Sequence, residues 1–375
     1  AAEFRTDSRK LFGYDYLSEE MKDMRELFLH AEKVKIYRLN GGEQAKAEMD
    51  GLTVTAKYAG TRGNDICVAI VENVDEDGYF DVETYLGTEL VDLQTAATTE
   101  ELKNNDFVTF SGTGSLTATA GTYLTGGTTA AATGNGYTDF LAAAEAEDFN
   151  VLAYNGDDKT TKKLFVNFTK RMRDEEGVKF VTVLYDHAEA DQEGVISVGT
   201  AKELVYWVAG AAAGAAVNES LTNVLYDGEY EVSAKMKKSE YIKGIEKGQF
   251  LFYEEGGEVR VLRDINSFTS FEAAKNSDFS SNRVVRVLDS IANDVANIFS
   301  KYYLGKQSNN ANGRNLLKAE ILAYHEELMK IEAIEQFTAD DITVEKGVEK
   351  QDVVVYESVQ PVDAMEKLYM KVEVV

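Results

Sequence analysis

The amino-acid sequence predicts an α/β (α+β) fold. A discontinuous α/β core domain carries an inserted β-rich domain, and a C-terminal α+β domain follows that ends in an extended, strand-donating arm. Three observations lead to this prediction. Helix and strand patterns alternate on both sides of a block that is almost purely β-patterned. Two long amphipathic helix patterns come next. Strand-patterned segments then occupy the last part of the sequence.

The first half of the chain begins with a helix pattern at 18–31, which Ser18 can cap, and a strand pattern at 34–39. From about residue 52 to 137 the composition shifts toward Thr, Gly, Val and Ala. Short strand patterns separated by turn residues lie at 52–58, 66–74, 79–86, 89–94 and 107–111. Loops and short edge strands are expected over 112–136. The block therefore predicts a small all-β unit.

Helix and strand patterns alternate again after residue 138. Helices are predicted at 139–147, 159–175, 200–217, 282–305 and 315–334, strands at 149–154 and 178–185, and a hairpin at 249–253 with 258–262. Because this alternation flanks the β block, the block is interpreted as an insertion. The predicted domains are 1–48 with 138–235 for the core, 49–137 for the insert, 236–349 for the C-terminal domain and 350–375 for the arm.

The predicted arm contains two β-patterned segments that are separated by the only proline, Pro361. In the second segment apolar residues alternate with others at the period of a half-buried strand. A strand at the end of a chain must pair with an earlier strand, with water or with another copy, and an unpaired edge is a template for another chain. Assembly is therefore the leading hypothesis. Its expected interface residues are Val353, Val355, Tyr356, Val359, Leu368, Met370, Val372 and Val374.

Charge and cysteine content exclude several classes of function. Asp and Glu number 65 against 39 Lys and Arg, so the formal net charge is -26 and nucleic acid or an anionic membrane is a disfavoured partner. The single cysteine, Cys67, cannot form an intrachain disulfide or a Cys-rich zinc site. No apolar stretch reaches the roughly 20 residues that span a bilayer, so no membrane insertion is expected.

Two local motifs have both a functional and a structural interpretation. The segment 73–81 imitates the first half of a calcium loop, but Thr84 occupies the position where a bidentate Glu is needed, so a hairpin turning at Asp77-Gly78 is favoured. Gly210 and Gly214 form a Gly-x-x-x-Gly pair, which in a membrane favours helix dimerisation. In this chain it predicts a buried helix that a neighbouring backbone approaches closely.

Catalytic patterns are weak, and no catalytic residue, cofactor or metal ligand is assigned. The turn after the strand at 149–154 contains Asp157 and Asp158, which oppose phosphate binding. The three histidines, His30, His187 and His325, are widely separated in the sequence. His187 follows a predicted strand and is interpreted as a solvated loop residue.

Two other functions remain open as alternatives. The first is an enzyme that uses the α/β core near Tyr154 and His187. The second is a glycan- or surface-binding β module, for which Tyr79, Tyr85 and Tyr123 would cluster on one face.

Several segments resemble the contractile tail sheath proteins of myophages, prophages and phage-tail-like (R-type) bacteriocins from Gram-positive bacteria. These segments are Tyr37-Arg-Leu-Asn-Gly-Gly42, Ala56-Lys-Tyr-Ala-Gly-Thr-Arg-Gly-Asn-Asp-Ile66, Trp207-Val-Ala-Gly210 with Asn218-Glu-Ser-Leu-Thr-Asn223, and Val359-Gln-Pro-Val-Asp-Ala-Met-Glu-Lys-Leu-Tyr369. The resemblance covers nearly the whole chain. It implies a structural subunit rather than an enzyme.

The resemblance further implies hexameric rings that stack around a tail tube and contract to drive the tube through the bacterial envelope. Terminal arms would donate strands to neighbouring subunits, and the insert would face outward. The implied partners are further copies, the tail tube protein, and baseplate and tail terminator proteins. The implied location is a virion tail or tail-like particle, made and assembled in the bacterial cytoplasm. Lys306, Arg314 and Lys318 are candidate tube-facing residues, and the residues before Ser18 are too few for the family's N-terminal arm and early strand.

Overall fold

The computed structural model describes residues 2–374, so Ala1 and Val375 lie outside the described residues. The helices are α1 (Ala2–Phe12), α2 (Lys22–Phe28), α3 (Gly134–Ala144), α4 (Lys159–Asp174), α5 (Val205–Gly214), α6 (Lys238–Glu246), α7 (Asn282–Ile298) and α8 (Ala311–Lys330). The strands are β1 (Lys46–Met49), β2 (Leu52–Ala56), β3 (Ile66–Glu72), β4 (Phe80–Leu86), β5 (Glu89–Ala96), β6 (Val108–Gly112), β7 (Thr119–Tyr123), β8 (Val151–Tyr154), β9 (Val181–Tyr185), β10 (Val195–Val198), β11 (Gln249–Phe250), β12 (Phe252–Glu255), β13 (Glu258–Val261), β14 (Ile342–Lys346) and β15 (Val353–Glu357).

The first compact unit comprises the chain up to Met21 and Lys35–Ala146. It contains an antiparallel three-stranded sheet, β1-β2-β6, and an antiparallel four-stranded sheet, β5-β4-β3-β7. Alternate residues of the strands point into one shared core, in which Val54, Val68 and Val82 are fully buried. This arrangement is a β-sandwich.

The second compact unit comprises Lys22–Val34 and Glu147–Val375. Its centre is a four-stranded parallel sheet in the order β11-β10-β9-β8. Since the chain departs from this unit after Val34 and returns at Glu147, the β-rich domain is inserted into an α/β domain. The predicted fold class is therefore confirmed.

Polar contacts tie α2 to the α/β unit although the two are far apart in sequence. The Arg25 guanidinium donates to both carboxylate oxygens of Glu229, at 2.6 and 2.7 Å. A similar pair joins α4 to α7, where Arg173 donates to Asp289 at 2.6 and 2.8 Å. Bidentate pairs of this kind add geometric specificity to the packing of the elements that they join.

The backbone of α2 approaches α5 at the two glycines that the sequence singled out. A Cβ atom at Gly210 would lie 2.6 Å from the Leu27 carbonyl oxygen, and one at Gly214 would lie 2.4 Å from that of His30. Both distances are shorter than a real Cβ contact. The prediction of a buried helix approached closely by a neighbouring backbone is confirmed.

The hairpin interpretation of residues 73–81 is also confirmed. Strands β3 and β4 pair antiparallel from Ile66–Leu86 to Glu72–Phe80. The Asn73 side chain accepts hydrogen bonds from the backbone N–H groups of Asp75 and Glu76, both at 2.9 Å, which shapes the connecting loop.

The predicted strand at 34–39 is wrong, because this segment is not β-structure and the first strand is β1. Tyr37 instead packs against Phe140 of α3, with a ring-centroid distance of 5.7 Å. Helix α1 was not predicted; its Phe4 is buried and contacts the rings of Phe12 and Tyr16. The alternation of residue types at 34–39 was thus not sufficient evidence for a strand.

We predict that Gly210→Ala destabilises the protein, because the added methyl group collides with the α2 backbone. The cost is expected to be about 1–3 kcal/mol, which overpacking typically causes and which exceeds the helix preference of Ala over Gly. Urea unfolding measures it. Ala213→Ser on the exposed part of the same helix is the control, with a change within about 0.5 kcal/mol. Equal stability of Gly210→Ala and wild type would contradict the close approach.

Candidate functional site

The C-terminal β-hairpin lies on a helical layer. Strands β14 and β15 pair antiparallel, with Val344 opposite Val355. The apolar cluster beneath them is built mainly from α7 and α8, and it includes Val353, Val355 and Val359 at its margin. Tyr356 is on the other face of β15 and is 61% exposed. Three of the predicted arm residues therefore pack against the body of their own chain.

The hairpin leaves main-chain groups directed away from itself. The Ser358 N–H donates to the Asp341 carbonyl and the Gly347 N–H donates to that of Asp352, both at 2.9 Å. Because hydrogen-bonded pairs alternate in an antiparallel ladder, the main-chain groups of Val353, Val355 and Glu357 point to the outer edge of β15. No strand of residues 2–374 pairs with that edge or with the outer edge of β14.

A buried histidine lies beside the end of β15. His325 of α8 is fully buried; its Nδ1–H donates to the Ile321 carbonyl at 2.9 Å, and Phe337 stacks on its ring at 4.0 Å. Its Nε2 lies 3.5 Å from Oε2 of Glu357, and neither of these buried atoms has a hydrogen-bond partner within residues 2–374. Burial raises the pKa of the Glu357 carboxyl, and the nearby His325 opposes that shift.

After β15 the chain crosses its own body as far as Glu366. The Glu335 N–H donates to the Gln360 carbonyl and the Val362 N–H to the Ala333 carbonyl, both at 2.9 Å. The Glu366 carboxylate then accepts hydrogen bonds from the α/β unit. These contacts define an arm root, residues 358–366.

The following residues, 367–374, project from the subunit, and we call them the free arm. Leu368, Met370, Val372 and Val374 are 88, 76, 73 and 97% exposed. None of the residues 363–374 belongs to a strand of the described chain. Four large exposed apolar side chains that alternate along the sequence are unusual on a solvated surface.

A second surface surrounds the connection between α7 and α8. The segment 295–319 contains four cationic residues, Lys301, Lys306, Arg314 and Lys318, and no Asp or Glu, within a chain whose net charge is -26. The last turn before the connection, Phe299–Tyr303, is π-helical, a conformation frequent at functional sites.

The cationic groups of this basic segment contact neutral oxygens. Arg314 donates to the Asn309 amide oxygen at 3.0 Å, and Lys318 donates to the Ala339 carbonyl at 2.6 Å. Lys306 is exposed and donates to the Lys301 carbonyl at 2.5 Å. Within residues 2–374 no carboxylate forms an ion pair with any of the four, so their charge is available to a partner.

The residues of the two alternative functions are placed as follows. His187 is buried rather than solvated, so that expectation is wrong; its Nδ1 lies 3.2 Å from Glu189, and burial lowers its pKa. Tyr154, at the end of β8, stacks on Phe165. The ring of Tyr154 is thus occupied by a packing contact.

Of the three tyrosines of the glycan-binding alternative, two share one face of the sheet β5-β4-β3-β7. Tyr85 and Tyr123 are the cross-strand neighbours of Cys67 on either side. Tyr79 lies outside the strands, directly before β4.

Family models match nearly the whole chain. The phage tail sheath protein beta-sandwich domain matches residues 40–135, the phage tail sheath protein central domain matches 130–267, and the phage tail sheath C-terminal domain matches 274–375. The phage-like element PBSX protein XkdK of Bacillus subtilis is 36% identical over 98% of this chain and 87% of its own. The chain belongs to the phage tail sheath family.

Solved structures agree with this assignment. The crystal structure of the sheath tail protein of Desulfitobacterium hafniense is 42% identical, with a TM-score of 0.87 over 96% of this chain and 88% of its own. That of the Listeria innocua sheath tail protein is 35% identical, with a TM-score of 0.86 over 98% and 89%.

The family is structural, and its members are phage or prophage tail components. None of the helices described for residues 2–374 is long and apolar enough to cross a bilayer.

Sequence analysis missed the partner strand β14 and the contacts of the arm root. The alternation Ile342-Thr-Val-Glu-Lys346 is a usable signal for β14, because Ile342 and Val344 lie on the core face. Nothing local distinguishes Glu366 from the exposed acidic residues around it. Its partner is far away in the sequence.

We predict that trypsin cleaves the soluble subunit first after Lys367 and Lys371. Proteases need an extended, accessible segment, and the free arm is exposed and unpaired within its own chain. Mass spectrometry over a digestion time course identifies the early products. Early cleavage after Lys346 or Lys350 of the hairpin, before cleavage in the free arm, would contradict this picture.

Proposed function

We propose that this sheath subunit polymerises into stacked hexameric rings around a tail tube and contracts to drive the tube through a bacterial envelope. The observation that carries the proposal is the alternating apolar row of the free arm, exposed on a subunit whose β14–β15 hairpin has unpaired edges. The free arm needs a strand to pair with and an apolar surface to cover its side chains, and the hairpin edges need a strand to pair with them. A second copy of the chain satisfies both.

Strand addition explains the predicted interface residues. If the free arm pairs with an edge of a neighbour's hairpin, its apolar row continues the face formed there by Val344, Val353 and Val355. Four buried apolar side chains stabilise the contact by roughly 6–12 kcal/mol before the costs of ordering the arm. Tyr356 lies on the outer face and Val359 at the base of the arm root.

Strand-donating arms allow the subunits of a contractile sheath to move while they stay connected. Subunits rotate as rigid bodies while their arms remain attached to neighbours. A difference of a few kcal/mol between the two states of each subunit is sufficient, because many identical subunits act together. The insert faces outward in this arrangement, away from the tube.

The basic segment is proposed to face the tail tube protein, with Lys306, Arg314 and Lys318 as contacts. The segment is positively charged although the chain as a whole is acidic, so it is electrostatically complementary to an acidic surface of a partner. A charge-based contact is easily broken and remade, which suits a sheath that must slide past its tube. Baseplate and tail terminator proteins are the proposed partners at the two ends, and assembly takes place in the bacterial cytoplasm before incorporation into a tail.

We predict that Val372→Asp abolishes tube formation and leaves a soluble, folded subunit, because a charge replaces an apolar contact in the donated strand. Deletion of 367–375 has the same result. Negative-stain microscopy of the purified protein measures it. Lys371→Ala, on the other face of the same strand, is the matched control and still assembles. Tubes of normal diameter from Val372→Asp would refute the arm assignment.

We predict that Lys306→Glu with Arg314→Glu weakens binding to the tube by at least about tenfold at low salt, since two attractive charge contacts become repulsive. Co-sedimentation of the sheath subunit with purified tube measures it. The control replaces Lys237 and Lys238, at the start of α6, by Glu, which changes the net charge equally. Equal losses for both double variants would show that only net charge matters.

A further inference from the structure

The free arm leaves the body of the subunit at one side chain, Glu366. This side chain is 16% exposed, whereas Met365 before it and Leu368 after it are almost fully exposed. Its Oε1 accepts a hydrogen bond from the Thr222 hydroxyl at 2.8 Å, and its Oε2 accepts one from Nε of Arg263 at 2.5 Å. We call these three residues the clasp.

The Thr222 side of the clasp is held by the body of the subunit. The Thr222 hydroxyl also accepts from the Asp264 N–H, at 2.9 Å. The Asp264 side chain is buried and accepts from the Leu221 N–H and from the Asn282 amide at 3.0 and 2.8 Å. The position of the Thr222 hydroxyl therefore does not depend on the arm.

The arm root is attached to the body by main-chain hydrogen bonds in its first part and by side-chain hydrogen bonds in its last part. Main-chain bonds join it to residues 333–335 as far as Val362, beside the buried Ala333 and Ile334. From Asp363 onward its bonds to the body use its carboxylates, with Asp363 accepting from the Ser281 hydroxyl at 3.1 Å. The side chain of Arg263 is 34% exposed, so water and salt reach the last contact.

We propose that the clasp is a releasable stop that sets the length of the arm. When it is closed, the tether to a neighbouring subunit begins at Lys367. When Glu366 leaves Arg263 and Thr222, Asp363 is the last contact with the body and the tether begins at Ala364. Three additional residues then span about 10 Å of extended chain. This inference rests on the proposed strand-donating role of the free arm.

A tether of variable length allows neighbouring subunits to move apart during the proposed contraction without losing the donated strand. Neighbouring subunits rotate and translate while a donated strand stays paired, so the connection between strand and body must lengthen. The main-chain contact at 333–335 has two hydrogen bonds beside the buried Ala333 and Ile334, and the proposed donated strand pairs through its own main chain. The clasp is a partly exposed charge contact that salt screens, and it opens before either of them.

The test is ¹⁵N relaxation NMR of the full chain, which reports the ps–ns mobility of each backbone N–H group. In the unassembled subunit, Glu366→Ala and Arg263→Ala are expected to lower the order parameters of residues 364–366 from rigid values of about 0.85 to below about 0.6, with residues 353–357 unchanged. The swapped pair Arg263→Glu with Glu366→Arg restores the rigid values. Salt near 1 M, where the Debye length is about 3 Å, lowers the order parameters of the wild type in the same residues.

Glu373→Ala is the matched control, because it removes an exposed carboxylate that pairs with Lys371 within the free arm. It should leave the order parameters of residues 364–366 unchanged. Unaltered order parameters in Glu366→Ala would overturn the clasp. A loss of order that extends into β15 would overturn its release as a local event.

Cryo-electron microscopy of assembled sheath supplies the second comparison. The contact between Glu366 and Arg263 is expected in one of the two sheath lengths and absent from the other, and the same contact state in both overturns the proposal. Because the first measurement uses the soluble subunit, a failure to form tubes would count against the proposed function and leave the clasp result intact.

Discussion

Unsatisfied strand edges are the constraint on which the organisation of the C-terminal region depends. Main-chain N–H and C=O groups need partners, and a two-stranded ribbon is marginal in water unless something supports it. The β14–β15 hairpin is supported from below by the apolar cluster over α7 and α8, but its edges remain open. The apolar side chains of the free arm are exposed, so they need an apolar surface to pack against. In the proposed assembly a second copy of the chain supplies both missing contacts.

The strength of contacts falls from the body of the α/β unit toward the arm. Gly210 lets two helix backbones meet without intervening side chains, and bidentate pairs such as Arg173 with Asp289 join elements distant in sequence. The arm root has a short main-chain ladder, and its last fixed point is one carboxylate. In the proposed contraction, such a gradient keeps the body rigid and confines any change in length to the tether.

The distribution of charge along the chain says more about its partners than the net charge does. The chain is strongly acidic, which argues against nucleic acid and anionic membranes as partners. The same imbalance makes a segment with four cationic residues and no carboxylate stand out. These side chains contact carbonyl and amide oxygens, so their charge is not neutralised within the described chain. A partner's surface can compete for them without breaking an ion pair.

The sequence by itself determined the element types, the insertion of the β domain and the exposed alternation of the arm, because periodicity, turn residues and helix caps are local properties. It also indicated the close approach at Gly210. It misjudged residues 34–39 and missed β1, β10 and β14, since a strand exists only where another strand pairs with it. It also missed helices α1 and α6. The burial of His187 and the attachment of Glu366 to Arg263 were likewise decided by tertiary structure. Both depend on groups brought together from distant parts of the chain, and no local pattern encodes that proximity.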